Sequence, residues 1–156
     1  MGAGRHIVFD CDGTLLNTQA MGRPYEGMPE LLHRLTVAEY QLYVWTGRDR
    51  ASTLRLLQEH NLLRYFQAIR TASEMTSKPH PQGLQDMLNG VDPSFVAVVG
   101  DSWTDMKGAR LFGAFALGAT WNVQASSEAL IEFGAHALAA TPRDCYDTLL
   151  RLLQGN

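Results

Sequence analysis

Five short apolar runs separated by helical patterns narrow the folds open to this chain more than any other feature. They are His6-Ile7-Val8-Phe9, ending in Asp10; Gln41-Leu42-Tyr43-Val44-Trp45, ending in Thr46-Gly47; the weaker Phe66-Gln67-Ala68-Ile69; Phe95-Val96-Ala97-Val98-Val99, ending in Gly100-Asp101; and Phe115-Ala116-Leu117. Near-continuous runs of this length suit strands buried on both faces of a parallel sheet. Between them, Pro29 to Glu39 carries Leu31, Leu32 and Leu35 at helical spacing, and Asp49 to His60 carries Leu54, Leu56 and Leu57. Pro81 to Leu88, Thr104 to Leu111 and Ser126 to Phe133 follow the same rule. Pro142 to Leu153 closes the chain behind Thr141, a residue suited to an N-cap. Strands alternating with helices predict a three-layer α/β fold around a central parallel sheet of about five strands. A length of 156 residues without repeat or linker fits one domain, residues 1–156.

In open α/β sheets the ligand sits beyond the carboxyl ends of the strands, and the notable polar residues fall at those ends. Asp10 and Asp12 follow the first strand, Thr46 and Gly47 the second, and Asp101 the fourth, with Asp105 four residues on. Alternation along an extended chain puts Asp10 and Asp12 on one side and Cys11 on the other. Two carboxylates so close repel, and a divalent cation relieves that cost; oxygen-only ligands suit magnesium. Gly13 lets the backbone turn away sharply. Thr46 and the Gly47 N–H are suitable donors to a phosphate oxygen, especially with a helix starting just beyond, although Thr46 also fits a plain helix N-cap. Ser77-Lys78-Pro79-His80-Pro81 places a positive charge in a loop stiffened by prolines.

Other candidates are weaker. Arg48 follows the phosphate loop and suits either a substrate group or a surface pair. Asn17, Arg23 and His80 are loop residues near the expected crevice, and Trp103 and Trp121 suit its rim. His6, His33, His60 and His136 have no metal spacing. Cys11 reads as a small apolar packing residue.

Composition excludes several classes. Thirteen Lys and Arg against sixteen Asp and Glu leave a net charge of −3, and no basic run offers a nucleic-acid footprint or a membrane anchor. No stretch approaches the roughly 20 apolar residues that span a bilayer, and the segment before Asp10 is too short for a secretory signal. Two cysteines, Cys11 and Cys145, suit neither a disulfide framework nor a metal site. A cytoplasmic location is the resulting expectation.

The motifs Asp10-Cys11-Asp12-Gly13-Thr14, Thr46 at a strand end, Lys78-Pro79, and Gly100-Asp101-Ser102-Trp103-Thr104-Asp105 resemble, in this order, the haloacid dehalogenase (HAD) superfamily of phosphatases. The resemblance covers nearly the whole chain and implies a Rossmann-like core. Tyr25 to Leu32 and Gly118-Ala119-Thr120-Trp121 look like the phosphoglycolate phosphatase branch. The resemblance implies that Asp10 attacks phosphorus and forms an aspartyl-phosphate. It casts Asp12 as the acid for the leaving oxygen and the base for the hydrolytic water. It further implies magnesium held by Asp10, the Asp12 carbonyl and Asp101 with support from Asp105, and a phosphoryl group held by Thr46, Gly47 and Lys78. Having both Asp12 and Asp101 favours phosphate esters over haloacids.

Family members of that branch insert a helical cap of many tens of residues between the first two strands. Here Gly13 to Tyr40 has room for a short flap and one helix, and the second insertion point has only Thr71 to Ser77. A capless, open site is therefore expected, admitting a small or bulky phosphorylated substrate or borrowing a lid from a neighbouring subunit in a homo-oligomer. Three other functions share this framework, and one of them, a degenerate phosphatase kept as a binding subunit, has no support in a sequence with every catalytic position filled. A phospho-aspartate switch uses an acidic pair, a Thr and a Lys, but its paired acids precede a lone phosphorylated Asp on a later strand. A phosphotransferase would pass the group to an acceptor other than water.

Overall fold

A computed structural model describes residues 2–154, so that the ends of the expected 1–156 span, Met1, Gly155 and Asn156, lie outside the described residues. Six strands form one parallel sheet in the order β5-β4-β1-β6-β7-β8. They are β1 (His6–Phe9), β4 (Gln41–Trp45), β5 (Phe66–Arg70), β6 (Val96–Gly100), β7 (Phe115–Ala119) and β8 (Ala137–Ala139). Two further short strands, β2 (Leu16–Asn17) and β3 (Arg23–Pro24), make an antiparallel hairpin after β1. The expected count of about five is thus corrected to six. The missed strand, β8, is three residues long and contains no β-branched or aromatic side chain, so its sequence carries little strand signal.

Alternation within the strands splits the core into two layers. Ile7, Phe9, Leu42, Val44, Ala97, Val99 and Leu117 face one side, against α1 (Met28–Val37), α2 (Arg50–Glu59) and α6 (Pro142–Gln154). Val8, Tyr43, Trp45, Val96, Val98 and Ala116 face the other, against α3 (Gln82–Met87), α4 (Trp103–Phe112) and α5 (Ser127–Glu132). These are the six helices expected from periodicity, and their ends move by at most two residues. Pro29 sits in the first turn of α1, and the Thr141 hydroxyl accepts the Asp144 N–H at 3.0 Å at the head of α6. No helix among the described residues is long and apolar enough to cross a membrane.

The register places the site. Phe9 pairs with Val44 on one side and with Val99 on the other, so the chain leaves β1, β4 and β6 at one level. Asp10 lies one residue beyond that level, and Thr46 and Asp101 lie two beyond it. Sheet order also reverses around β1, with β4 and β5 on one side and β6 to β8 on the other, which opens a crevice at the strand ends.

Candidate active site

Asp10 directly follows β1 and is held by its N–H bond to the Val99 carbonyl at 2.9 Å. Its side chain is buried, and so are Asp105 and the Lys78 side chain, the last only 8% exposed. Lys78 donates to Asp10 Oδ1 at 2.9 Å and to Asp105 Oδ1 at 2.7 Å. The loop lysine is therefore an interior cation. Its loop enters α3 through a cis Lys78-Pro79 bond.

Asp101 completes the group: Asp10, Asp101 and Asp105 each offer a carboxylate oxygen within 4.8 Å of the others. Asp105 has a second task. It stands at the third position of α4 and accepts the Ser102 N–H at 3.2 Å, while Ser102 caps the helix in return. Its two oxygens divide the work, Oδ2 accepting the Ser102 N–H and Oδ1 the Lys78 ammonium.

Three ionised carboxylates against one ammonium would leave two negative charges uncancelled, and burial makes that ionisation costlier still. Burial pushes the Asp10 carboxyl up to about 7, with the Lys78 ammonium opposing the rise and the Asp101 charge adding to it. Burial and then the Asp10 charge lift Asp105 to about 6. Burial works against the Lys78 charge, but the two carboxylates outweigh it and hold the ammonium above its ordinary range. An all-oxygen donor set with two excess negative charges fits a hard divalent cation such as magnesium. Packing of Gly13 supports the fit. Its φ is +85°, and a Cβ there would collide with Asp101 Oδ2 and lie 2.8 Å from Asn122 Nδ2.

The Asp12 carboxylate stays out of this cluster. It lines the same cleft as Asp10, as alternation requires, but Arg48 grips it. Arg48 Nε lies 3.1 Å from both Asp12 oxygens and Nη2 lies 3.0 Å from Oδ1. The Asp12 side chain thus lies outside the three-carboxylate cluster, while the ligand that the resemblance implies for Asp12 is its backbone carbonyl. Arg48 is paired, with its side chain 25% exposed and that of Asp12 38% exposed.

Thr46 is buried, and its hydroxyl accepts the Arg48 N–H at 3.1 Å. It does not cap α2; Asp49 does, accepting the Ser52 N–H at 2.9 Å. Gly47 lines the cleft with open space where a Cβ would stand. The cleft measures about 400 Å³ and brings together Asp10, Asp12, Gly47, Lys78, Asp101 and Asp105.

Other candidates fall elsewhere. Asn17 caps the flap's short helical turn by accepting the Gln19 N–H at 3.0 Å, and Arg23 bonds the Ala20 carbonyl at 3.2 Å. His80 Nδ1 accepts the Gln82 N–H at 3.1 Å, and Trp103 packs on Phe133 with ring centroids 4.9 Å apart. Cys11 is buried in the core on the face away from the cluster. Trp121 donates its indole N–H to the Thr14 carbonyl at 2.9 Å and so braces the turn after β1.

Two residues were missed. Asn122 donates to Asp101 Oδ2 at 2.8 Å, and the Thr14 hydroxyl makes long contacts of 3.4 Å to Asp10 Oδ2 and Asp101 Oδ1. Thr14 sits inside a motif already noted. Asn122 follows the end of β7, and the strand-end rule applied there would have found it.

Comparisons with known proteins bear on the family and the fold. The family described as haloacid dehalogenase-like hydrolase matches residues 19–119. The protein of Dickeya dadantii named "Probable phosphatase IndB" is 34% identical over 113 residues, which is 70% of this chain and 49% of that protein. A phosphoglycolate phosphatase of Mesorhizobium japonicum is 33% identical over 100 residues, 62% of this chain and 44% of that protein. The chain thus spans about half the length of these curated relatives. Among solved structures, a haloacid dehalogenase-like family hydrolase of Streptococcus pneumoniae superposes with a TM-score of 0.80 at 17% identity, covering 92% of this chain and 97% of that one. A hydrolase of Pseudomonas syringae gives 0.80 at 17% identity, covering 94% and 98%. At such identity these structures speak for the fold alone.

Proposed function

The chain belongs to the haloacid dehalogenase-like hydrolases, and on that premise we propose that it is a magnesium-dependent phosphomonoesterase with Asp10 as nucleophile. One observation carries the reading. A buried ammonium, Lys78, bridges Asp10 and Asp105 at the strand ends, with a third carboxylate, Asp101, in the same cluster. That is an anionic site built to hold a cation beside a carboxylate able to attack.

In the first step a carboxylate oxygen of Asp10 attacks phosphorus in line. The Asp10–phosphorus bond forms, the bond to the leaving oxygen breaks, and Asp12 gives that oxygen a proton. In the second step Asp12 takes a proton from the water that attacks phosphorus, which releases phosphate and restores Asp10. Arg48, by holding both Asp12 oxygens, fixes the direction of that side chain toward the cleft. Lys78, the Thr46 hydroxyl and the Gly47 N–H orient the phosphoryl oxygens and offset their charge. Asp10, Asp101 and Asp105 would hold magnesium, with the Asp12 carbonyl as a further ligand, and the bound ion would offset the charge of the phosphoryl group and the carboxylates.

Every residue in this scheme is carried by one sheet, its loops and the first turn of α4, which supports a single hydrolase domain over residues 1–156. Between β1 and α1 the chain inserts only the β2–β3 hairpin, and between β5 and α3 only residues 71–81. The cleft is accordingly read as open to phosphate esters with extended leaving groups. Hydrolysis of an aryl phosphate tests the proposal: turnover with magnesium, loss with chelator and loss in Asp10→Asn support it. Stable labelling of Asp10 by acetyl phosphate without turnover would replace it by a phospho-aspartate switch. Faster product formation with added alcohol acceptors, with phosphate transferred to them, would replace it by a phosphotransferase.

A further inference from the structure

Trp45 is the last residue of β4, directly before Thr46, and it is fully buried. Its indole N–H has no hydrogen-bond partner among the described residues. A buried donor left unpaired is costly, and a purely apolar side chain would avoid that cost. Something else must favour tryptophan here.

The surroundings identify it. Lys78 Nζ sits over the Trp45 ring, 4.4 Å from its centroid. Two glycines make room for the ring in this place. A Cβ at Gly83 of α3 would lie 2.7 Å from the Trp45 Nε1, and a Cβ at Gly108 of α4 would collide with Trp45 Cη2. That same Cβ at Gly108 would lie 2.9 Å from the Pro79 carbonyl oxygen, so ring, helix and lysine loop meet at one point. Trp45 therefore touches the loop that carries Lys78 and the helix that carries Asp105. Tryptophan offers the strongest aromatic face to a cation, most of all where water is excluded.

We propose that Trp45 is a positioning residue for phosphoryl transfer, its indole face holding the Lys78 ammonium in line with the reacting group. The inference rests on the phosphatase reading above. In that reaction Asp10 loses its charge when it is esterified, and Lys78 loses one of its two anionic partners. Asp105 and the ring are the two partners whose attraction does not change between the stages, and together they keep Lys78 aimed at the phosphoryl oxygens until water has cleaved the intermediate.

The test has two arms. The first is the NMR shift of the Lys78 ε-methylene protons in the wild-type protein, which a ring face at this distance moves upfield. Trp45→Phe should retain part of that displacement and Trp45→Met should abolish it. The second is a double-mutant cycle on kcat/KM for an aryl phosphate at saturating magnesium. Trp45→Met should lower kcat/KM roughly 10-fold, Trp45→Phe no more than about 3-fold, and Trp45→Met in a Lys78→Met background should cost less than about 2-fold further. An equal loss in both backgrounds would make Trp45 a packing residue only and overturn the proposal. A wild-type Lys78 resonance at its ordinary position would overturn it without any variant, whether or not Trp45→Met folds. A displaced resonance in a protein that hydrolyses no phosphate ester would instead locate the failure in the phosphatase reading and remove the catalytic role with it.

Discussion

Lys78 puts one ammonium against two of three clustered carboxylates, and the imbalance has consequences that a titration can read. Asp10 is raised to about 7 and Asp105 to about 6, both chiefly by burial. For a carboxyl whose folded value lies above its unfolded one, the stabilising contribution is complete below the unfolded value, near 4. It is lost as pH rises through the folded value. Lys78 is raised as well, but its contribution is lost only at alkaline pH and gives no slope in this window. The chelated protein should therefore lose thermal stability between about pH 4 and pH 7, and magnesium should flatten that slope by neutralising the carboxylates. Asp10→Asn should be more stable than wild type at pH 8 in chelator while losing at least about a thousandfold in kcat. Thermal melts across pH, with and without magnesium, check both; a slope that magnesium leaves unchanged would contradict the account.

At the scale of elements, the turn between β1 and the flap decides whether the cation site exists. Gly13 holds φ +85°, and the space beside it is taken by Asp101 and Asn122. An alanine there would cost about 1–2 kcal/mol for the backbone alone and would push the Asp101 carboxylate from its place. Gly13→Ala is expected to fold, yet to need at least about tenfold more magnesium for the same rise in melting temperature. An unchanged magnesium requirement would show that Asp101 has no part in the site. The same turn marks how far the sequence could be read. Asp10, Asp12, Thr46, Gly47, Lys78 and Asp101 stand at strand ends or in a strand–helix loop, and Asp105 in the first turn of α4 close behind, where position alone makes a polar residue conspicuous. Partners made by tertiary contact were not legible in that way. The grip of Arg48 on Asp12 joins residues from separate strand ends, and the Trp121 bond to the Thr14 carbonyl spans most of the chain. Strand β8 escaped for a local reason, since Ala-Leu-Ala has no strand preference until β7 offers it an edge.

For the molecule as a whole, sheet order and register do the assembling. Parallel pairing of β1 with both β4 and β6 levels their carboxyl ends, and burial of both faces leaves the strand ends as the place where charge can collect. The chain devotes few residues to covering that edge. With only a hairpin after β1 and an 11-residue segment, 71–81, before α3, the cleft has little with which to reject a large leaving group. An aryl phosphate and a phosphotyrosyl peptide should accordingly have kcat/KM values within about tenfold of one another, as a site that binds little besides the phosphoryl group would give. A preference of a thousandfold or more for the small ester would mean that something closes over the site.

The most direct test of the central claim is to trap the intermediate. Wild-type protein turning over an aryl phosphate with magnesium would be quenched in acid, and the peptide containing Asp10 examined by mass spectrometry. The account predicts a hydroxylamine-labile phosphoryl group on Asp10, absent with chelator and absent in Asp10→Asn. Phosphate on any other residue, or turnover that survives Asp10→Asn, would contradict it.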